Sequence, residues 1–540
     1  MTSQRSDVLI VGAGPVGLSL ALALTRLSLR VRIIDKAPET KREPRAAVIW
    51  PRCAEILDDL GLIESVEHAA YKLHAATIYA NGRRLGTLDV GHIQSAYPHP
   101  LVIEQHVTER LLAGHLESLG VPIEFRTEAT DVRLFEDRVD IALQHAGGTE
   151  ELATSAWVVG CEGSGSLVRQ KVGIAFAGDR RPNLQVVQIN AVPTWRYANI
   201  PTQGYFFLAP NASLGCFPRP GGGYRFFAFT TDPDPNRKTP PTLAEMRDLI
   251  ATVAHAPELQ LTPTEPAWTN RARFHDRIAT TLRHGRALLA GDAAHVWAPI
   301  GGHGMNTGIR GAHNLAWKLA AVHRGEAQPR LLDTYSHEQR ATAQAVIDEM
   351  RFNVFERPNP PALLPLLQAL LPLGLASGSI RRKVELTLSD LAMHHRGSAL
   401  SWQRVAARRL CAGDRVPDVA VIADDKATRL HQLLSMQHWT LLLHTTGQDS
   451  AAIRQAQAIA AAYRAAIRVV PVAPADPEVK RMLGPDEMII LVRPDRHIGL
   501  MARTDDMRAL RDYLDTFLVR RRLPPDKRNR TTNAMLQHDT

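Results

Sequence analysis

The sequence predicts an α/β protein of several domains: a Rossmann-like unit at the N-terminus, a β-sheet domain inserted into it, and a small C-terminal α/β unit. Three observations predict it. First, Ser6 to Asp35 gives an apolar strand (Val8 to Val11), the turn Gly12-Ala13-Gly14-Pro15-Val16-Gly17, a helix from Val16 to Leu27, and a strand, Val31 to Ile34, closed by Asp35. Second, residues 183–275 are strand-rich and broken by Pro and Gly, as in Arg219-Pro220-Gly221-Gly222-Gly223. Third, a composition break at Ala412 to Pro417 precedes a β-α-β-β-α order.

The opening stretch carries a chemical meaning, because G-x-G-x-x-G is informative where it joins a strand to a helix inside a βαβ unit. Gly12 permits the tight turn, Gly14 lets a pyrophosphate approach the backbone, and Gly17 allows close packing of helix on strand. Phosphates would rest on the free N–H groups at the helix start. Asp35 stands where a carboxylate accepts ribose hydroxyls. These residues predict a dinucleotide site. Arg45, in the polar loop that follows, is a candidate phosphate or ring contact.

Further along, Ala75 to Ala80 and the Asn81-Gly82 turn predict strands outside the nucleotide fold. Val102 to Gln105 leads into a helix reaching Leu119, with apolar residues at helical spacing. The segments 122–125, 131–134 and 139–143 alternate as antiparallel strands, and Trp157 to Gly160 is a buried strand ending at Cys161-Glu162-Gly163. In the second sheet, Gln188 and Asn190 share one face of a strand and Val187 and Ile189 the other. A strand ending in Gly291-Asp292 and a loop, Pro299 to Gly304, open a long helix through Asn306 to His323. More helices follow to His395. In the last unit, Trp439 to His444, Ile467 to Val472 and Met488 to Val492 are predicted strands, and Ala451 to Tyr463 and Met507 to Phe517 helices.

Bulk composition narrows the function classes. A chain of 540 residues exceeds a single core. The net charge of +9 is spread along the chain, with one dense cluster at Arg520-Arg521-Arg522, Lys527, Arg528 and Arg530. No zinc spacing or aromatic–basic platform accompanies that cluster, so a solvated tail is expected and nucleic-acid binding is not. Cys53, Cys161, Cys216 and Cys411 are far apart, with no C-x-x-C, which fits a reducing compartment rather than a disulfide framework or metal site. A cytoplasmic protein with no membrane partner and no metal is expected.

Three motifs in order, Gly12-x-Gly14-x-x-Gly17, the Gly160 to Arg169 segment, and Gly291-Asp292 with its Gly loop, resemble the FAD-dependent aromatic hydroxylases, the class A flavoprotein monooxygenases. The resemblance covers residues 7 to about 395, and the thioredoxin-like tail is similar to that of the phenol and polyketide hydroxylase subgroup. It implies a discontinuous FAD-binding domain (1–74, 99–178 and 276–345), a substrate-binding sheet (75–98 and 179–275), a helical linker (346–411) and a thioredoxin-like domain (412–540). That last domain has no cysteine, which excludes thiol–disulfide chemistry there.

The resemblance also implies residue roles. Gly12, Gly14 and Gly17, with Pro15 and Val16 between them, hold the FAD pyrophosphate, and Asp35 with Lys36 lies at the adenosine ribose. Arg45 and Gln105 contact the cofactor, as do Glu162 and Gly163, in place of the family's Asp-Gly. Gly291 and Asp292 lie on the ribityl side, and the Pro299, Gly302, Gly304, Met305 and Asn306 stretch meets the flavin ring. Gly311 replaces the family's usual Asp. Substrate chemistry is expected from Gln188, Tyr205, Phe207, Arg225 and Phe227 on the second sheet and from the Pro299 to Gly304 loop. His303, Pro299, Arg225 and Tyr205 are the catalytic candidates, and His303 is placed to bind or deprotonate a phenol. The implied reaction takes electrons from NADPH or NADH, activates O₂ as a flavin C4a-hydroperoxide and hydroxylates a phenolic or polycyclic aromatic molecule. Baeyer–Villiger chemistry on the same scaffold stays open, as does a non-catalytic flavin-binding protein. A monomer or a homodimer is equally compatible with the sequence.

Overall fold

The computed structural model describes residues 6–522, apart from 41–45, 233, 235, 299, 351–352, 407–408, 445–450, 476 and 484–486. The first sheet runs in the order Arg283–His284, Ala287–Leu289, Glu150–Gly160, Ser6–Val11, Val31–Ile34, Ile123–Glu124. Its centre is parallel, with Val11 beside Gly160 on one side and Ile34 on the other. The hairpin Thr127–Leu134 and Val139–His145 extends it by pairing antiparallel with Glu150–Gly160. Such strands are buried on both faces, which is why Val8 to Ile10 are an unbroken apolar run with no exposure. The helices Pro15–Arg26 and His303–His323 pack together over this sheet. Gly17 lets the first of these helices sit close on the preceding turn and strand end, since a Cβ there would lie 1.9 Å from the Gly12 carbonyl oxygen and 3.3 Å from Cys161 Cβ.

Among the described residues the second sheet has nine strands, in the order His295–Val296, Thr269–Ala279, Phe176–Thr194, Tyr224–Thr231, Ala212–Pro218, Gln203–Ala209, Ala75–Ala80, Arg83–Asp89, with Gln260–Pro263 alongside. The strands at 75–89 therefore join the later β-sheet, through a parallel pairing of Ala75–Ala80 with Gln203–Ala209. Both faces of this sheet are covered. One carries Val186, Phe217, Phe227 and Phe274; the other packs Val187, Tyr205, Phe207 and Phe226 beneath the helix Leu243–Val253. Two strands overrun the expected boundaries at 178/179 and 275/276: Phe176–Thr194 and Thr269–Ala279 pair continuously across them.

The C-terminal sheet runs Trp402–Gln403, Ile498–Arg503, Met488–Val492, Trp439–His444, Ile467–Pro474, Ala420–Ala423, Lys426–Arg429. Its edge strand Trp402–Gln403 comes from the segment expected to be a helical linker. This unit is fastened to the first domain through buried charge. Glu338, on the helix Arg330–Met350, receives Arg493 at 2.7 and 2.9 Å, Lys318 at 2.7 Å and the Ser398 hydroxyl at 2.6 Å. Asp495 accepts from Asn314 at 2.8 Å and the Trp317 indole at 3.1 Å. The turn Arg493 to His497 thus grips the helix His303–His323 directly. At the chain end, Arg520 pairs with Asp515 at 2.6 Å and Arg521 Nε donates to the Tyr463 carbonyl at 2.7 Å. Arg520, Arg521 and Arg522 are nonetheless exposed, and Lys527, Arg528 and Arg530 lie outside the described residues. Among the described residues, no single helix is long and apolar enough to cross a membrane.

Candidate active site

A cavity of about 1490 Å³ opens where the parallel strands of the first sheet end, the position at which α/β folds bind ligands. One half is walled by the turn after Ser6–Val11, by Asp35, Gln105, Glu162 and Asp292, and by the start of the helix His303–His323. The other half lies against the second sheet and the helix Gly378–Leu388.

The first half has the shape of a dinucleotide cradle. Gly12 sits at φ +105°, closed to side chains, and its N–H donates to the Ile34 carbonyl at 2.8 Å. Asp35 braces the turn by accepting from Ala13 N–H at 2.7 Å and Ala37 N–H at 2.8 Å. A Cβ added at Gly14, Gly163 or Gly304 would meet no atom within 4 Å. Those three glycines therefore face the volume that a cofactor would fill, whereas Gly12, Gly17 and Gly291 press on protein atoms. Asp292 is exposed into the cavity, and Lys36 lines it while lying 3.5 Å from Glu128. These residues fit FAD: N–H groups at a helix start for the pyrophosphate, a carboxylate for the ribose and another for the ribityl chain.

Several expected contacts carry structural duties as well. Gln105 ties Ala46 N–H (3.2 Å) to Glu109 (2.8 Å). Glu162 accepts from Val168 N–H at 2.8 Å and so caps the short helix Leu167–Lys171; burial pushes its carboxyl up. The Asn306 side chain is fully spent, accepting from Trp50 N–H and donating to the Val48 and Gly302 carbonyls, all at 2.9 Å. Asn306 has no exposure and does not line the cavity, which corrects the expectation for it; at this helix start Gly302, Gly304 and Met305 do line it. Arg45 and Pro299 lie outside the described residues.

In the second half, the strand pattern decides which candidates reach the cavity. Gln188, Arg225 and Phe227 line it. Tyr205 and Phe207 do not, which corrects the expectation for both. Their strand alternates, so Phe206 faces the cavity while Tyr205 and Phe207 pack with Trp195 and Tyr197 on the far side. The Tyr205 hydroxyl is committed there to the Ala198 carbonyl at 2.7 Å. Arg225 is 1% exposed; its Nε donates to Asn190 at 2.6 Å, its guanidinium covers the Trp268 ring at 4.3 Å, and Glu104 lies 3.5 Å away. Burial lowers the Arg225 pKa to about 9. The polar face predicted for Gln188 and Asn190 is real, since Asn190 orients Arg225 and Gln188 accepts from Asn270 at 3.2 Å.

His303 begins the long helix, buried against Gly301 and Trp50, whose ring stacks on it at 6.0 Å. Its Nδ1 lies 3.0 Å from Asp390, a carboxylate with no exposure, and Arg310 lies 3.6 Å from the same carboxylate. Burial would lower the His303 pKa, but the Asp390 charge outweighs it and the pKa rises. His295 is buried too, stacks on Trp297 at 5.0 Å, and is pushed down to about 4 by burial. Sequence reasoning missed Asp390, Glu356, Trp50 and Trp268, which reach the site only through tertiary packing.

Fold and cavity define an α/β protein whose dinucleotide cradle opens into a roomy second chamber, and comparisons with known proteins give its family. The FAD binding domain family matches residues 5–350, and the aromatic-ring hydroxylase C-terminal family matches 410–520. The chain belongs to the FAD-dependent aromatic hydroxylases. It is 32% identical to 6-methylpretetramide 4-monooxygenase of Streptomyces rimosus, over 91% of this chain and 90% of that one. Among solved structures, an anhydrotetracycline hydroxylase from Streptomyces rimosus superposes with a TM-score of 0.75 at 29% identity, covering 95% of this chain and 99% of that chain. Aklavinone-11 hydroxylase, solved with FAD and aklavinone, gives 0.76 at 25% identity, covering 96% and 99%.

Proposed function

We propose that this protein uses NADPH or NADH and O₂ to hydroxylate a polycyclic phenol of the kind named for its relatives. The observation that carries the reading is the continuity of one cavity, from the Gly14 and Asp292 cradle to an aromatic chamber on the second sheet. FAD, once reduced, supplies the activation of O₂. The protein supplies position and a dry surface. Phe206, Phe217, Phe227, Trp297 and Phe355 line the chamber and exclude water from the reacting centre. Gly215 leaves the space that the Phe227 ring occupies, since a Cβ there would lie 2.3 Å from its Cζ. The N-terminus of the helix His303–His323 directs its first N–H groups, including those of Gly304 and Met305, at negative charge developing in the cavity. Arg225 and Gln188 on one wall and His303 on another offer polar contacts for a substrate with several oxygen atoms.

The reading is tested by mixing the purified holoenzyme anaerobically with NADPH or NADH, with and without polycyclic phenols, then repeating in air while measuring H₂O₂. Phenol-stimulated bleaching of the flavin with little peroxide in air supports it. Bleaching that no phenol changes, or full conversion of electrons to peroxide with every phenol, contradicts it.

A further inference from the structure

Glu356 ends the short turn Val354–Glu356, which follows the long helix Arg330–Met350. It is 4% exposed, yet it lines the cavity beside His303, Asn353 and Phe355. One oxygen is anchored: Oε2 accepts from the Gly301 N–H and from Asn353 Nδ2 at 3.1 Å. Both donors are neutral, and Oε1 receives no hydrogen bond from the described residues. A buried carboxylate with one fixed oxygen and one oxygen left for the chamber is an uncommon expense in a folded protein unless a ligand completes it.

The neighbouring His303 is poorly suited to be the base. Asp390 at 3.0 Å favours its protonated form, and an imidazolium has no lone pair for another proton. Its charge instead suits an anion in the chamber. We propose that Glu356 Oε1 is the base that takes the hydroxyl proton of the phenolic substrate, while the His303–Asp390 pair supplies the positive charge that holds the phenolate. The inference rests on the reading of the chain as a phenol hydroxylase. In the step, the substrate O–H bond breaks, its proton forms an O–H bond on Glu356, and the electron pair stays on the substrate oxygen.

The surroundings agree with that role. Among the described residues, the charged groups facing this corner include His303 and Arg310 from one helix, Glu349 from the preceding helix, Lys383 from Gly378–Leu388, and Asp390 with Arg52 behind it. Burial raises the Glu356 carboxyl to about 7, partly offset by the Gly301 hydrogen bond and the His303 charge. A base of that strength is half ionised near neutral pH, ionised above it, and strong enough to receive a phenol proton.

The test uses the FAD-loaded enzyme and alizarin, a tricyclic phenol whose phenolate absorbs at longer wavelength than its neutral form. Wild-type protein should convert bound alizarin to the phenolate with a midpoint near pH 7, and Glu356→Gln should abolish that midpoint while retaining FAD. In the same variant, alizarin-stimulated flavin reduction should fall about 10²-fold. Glu356→Asp, which keeps a carboxylate, should restore a pH-dependent phenolate signal. A Glu356→Gln protein that ionises alizarin like wild type, with an unchanged pH profile, overturns the assignment while leaving the hydroxylase reading intact. Wild-type holoenzyme that binds no member of a polycyclic phenol panel overturns both.

Discussion

Gly14→Ala and Gly17→Ala, a single methyl group three residues apart, should fail in opposite ways. At Gly14 the backbone has φ −76°, which alanine adopts freely, and the added Cβ meets no protein atom within 4 Å. The apoprotein should therefore be as stable as wild type, or gain about 0.4–1 kcal/mol from the stiffer unfolded chain. The methyl instead projects into the cradle where a pyrophosphate must approach the backbone, so FAD affinity should fall at least tenfold, about 1.4 kcal/mol. At Gly17 the new Cβ would lie 1.9 Å from the Gly12 carbonyl oxygen and 3.3 Å from Cys161 Cβ. Helix and strand must separate by about 1 Å, an overpacking cost of about 1–3 kcal/mol borne by apoprotein and holoprotein alike. Thermal unfolding of the stripped proteins, with FAD titration followed by flavin fluorescence, separates the two. A Gly14→Ala protein with wild-type FAD affinity would refute the placement of the pyrophosphate.

Other consequences can be measured independently. Asp292→Ala, at a position exposed to the cavity, should leave the fold intact and weaken FAD by about 1.5–3 kcal/mol, seen as flavin lost on gel filtration. Arg493→Ala leaves Glu338 and Asp495 buried without their guanidinium, so it should destabilise by about 3–5 kcal/mol in denaturant unfolding. His295 is neutral in the folded state, with its pKa lowered from 6.5 to about 4, whereas the unfolded chain takes up a proton below 6.5. Its contribution is therefore complete above pH 6.5 and lost as pH falls toward 4, a swing of about 3 kcal/mol that His295→Phe should remove from the pH dependence of thermal unfolding.

The parts of this fold that were legible in the sequence are those fixed locally. Strand, glycine turn, helix and closing Asp35 lie within 30 residues, and each glycine role follows from contacts made inside that unit or one strand away. Gly291-Asp292 and the loop opening the helix at His303 were legible for the same reason. Tyr205 was misplaced because both faces of the second sheet are buried. Phe206 and Phe207 are equally apolar, and period-two alternation does not say which face meets the cavity. The strand Ile498–Arg503 was missed at Gly499, where the Tyr513 hydroxyl would lie 2.4 Å from any Cβ and so demands glycine inside a strand. Glu338, Asp390 and Glu356 are buried charges for which the local sequence carries no signal. Their burial comes from packing against partners that include the C-terminal unit and a helix start some 50 to 155 residues away in sequence.

The account stands most directly on where the oxygen goes. Wild-type holoenzyme, supplied with NADPH or NADH, isotopically heavy O₂ and a phenol that stimulates flavin reduction, should yield a product heavier by one labelled oxygen atom on the aromatic ring. A ring product carrying oxygen only from water, or nicotinamide consumption that yields labelled H₂O₂ and unchanged phenol, would contradict it.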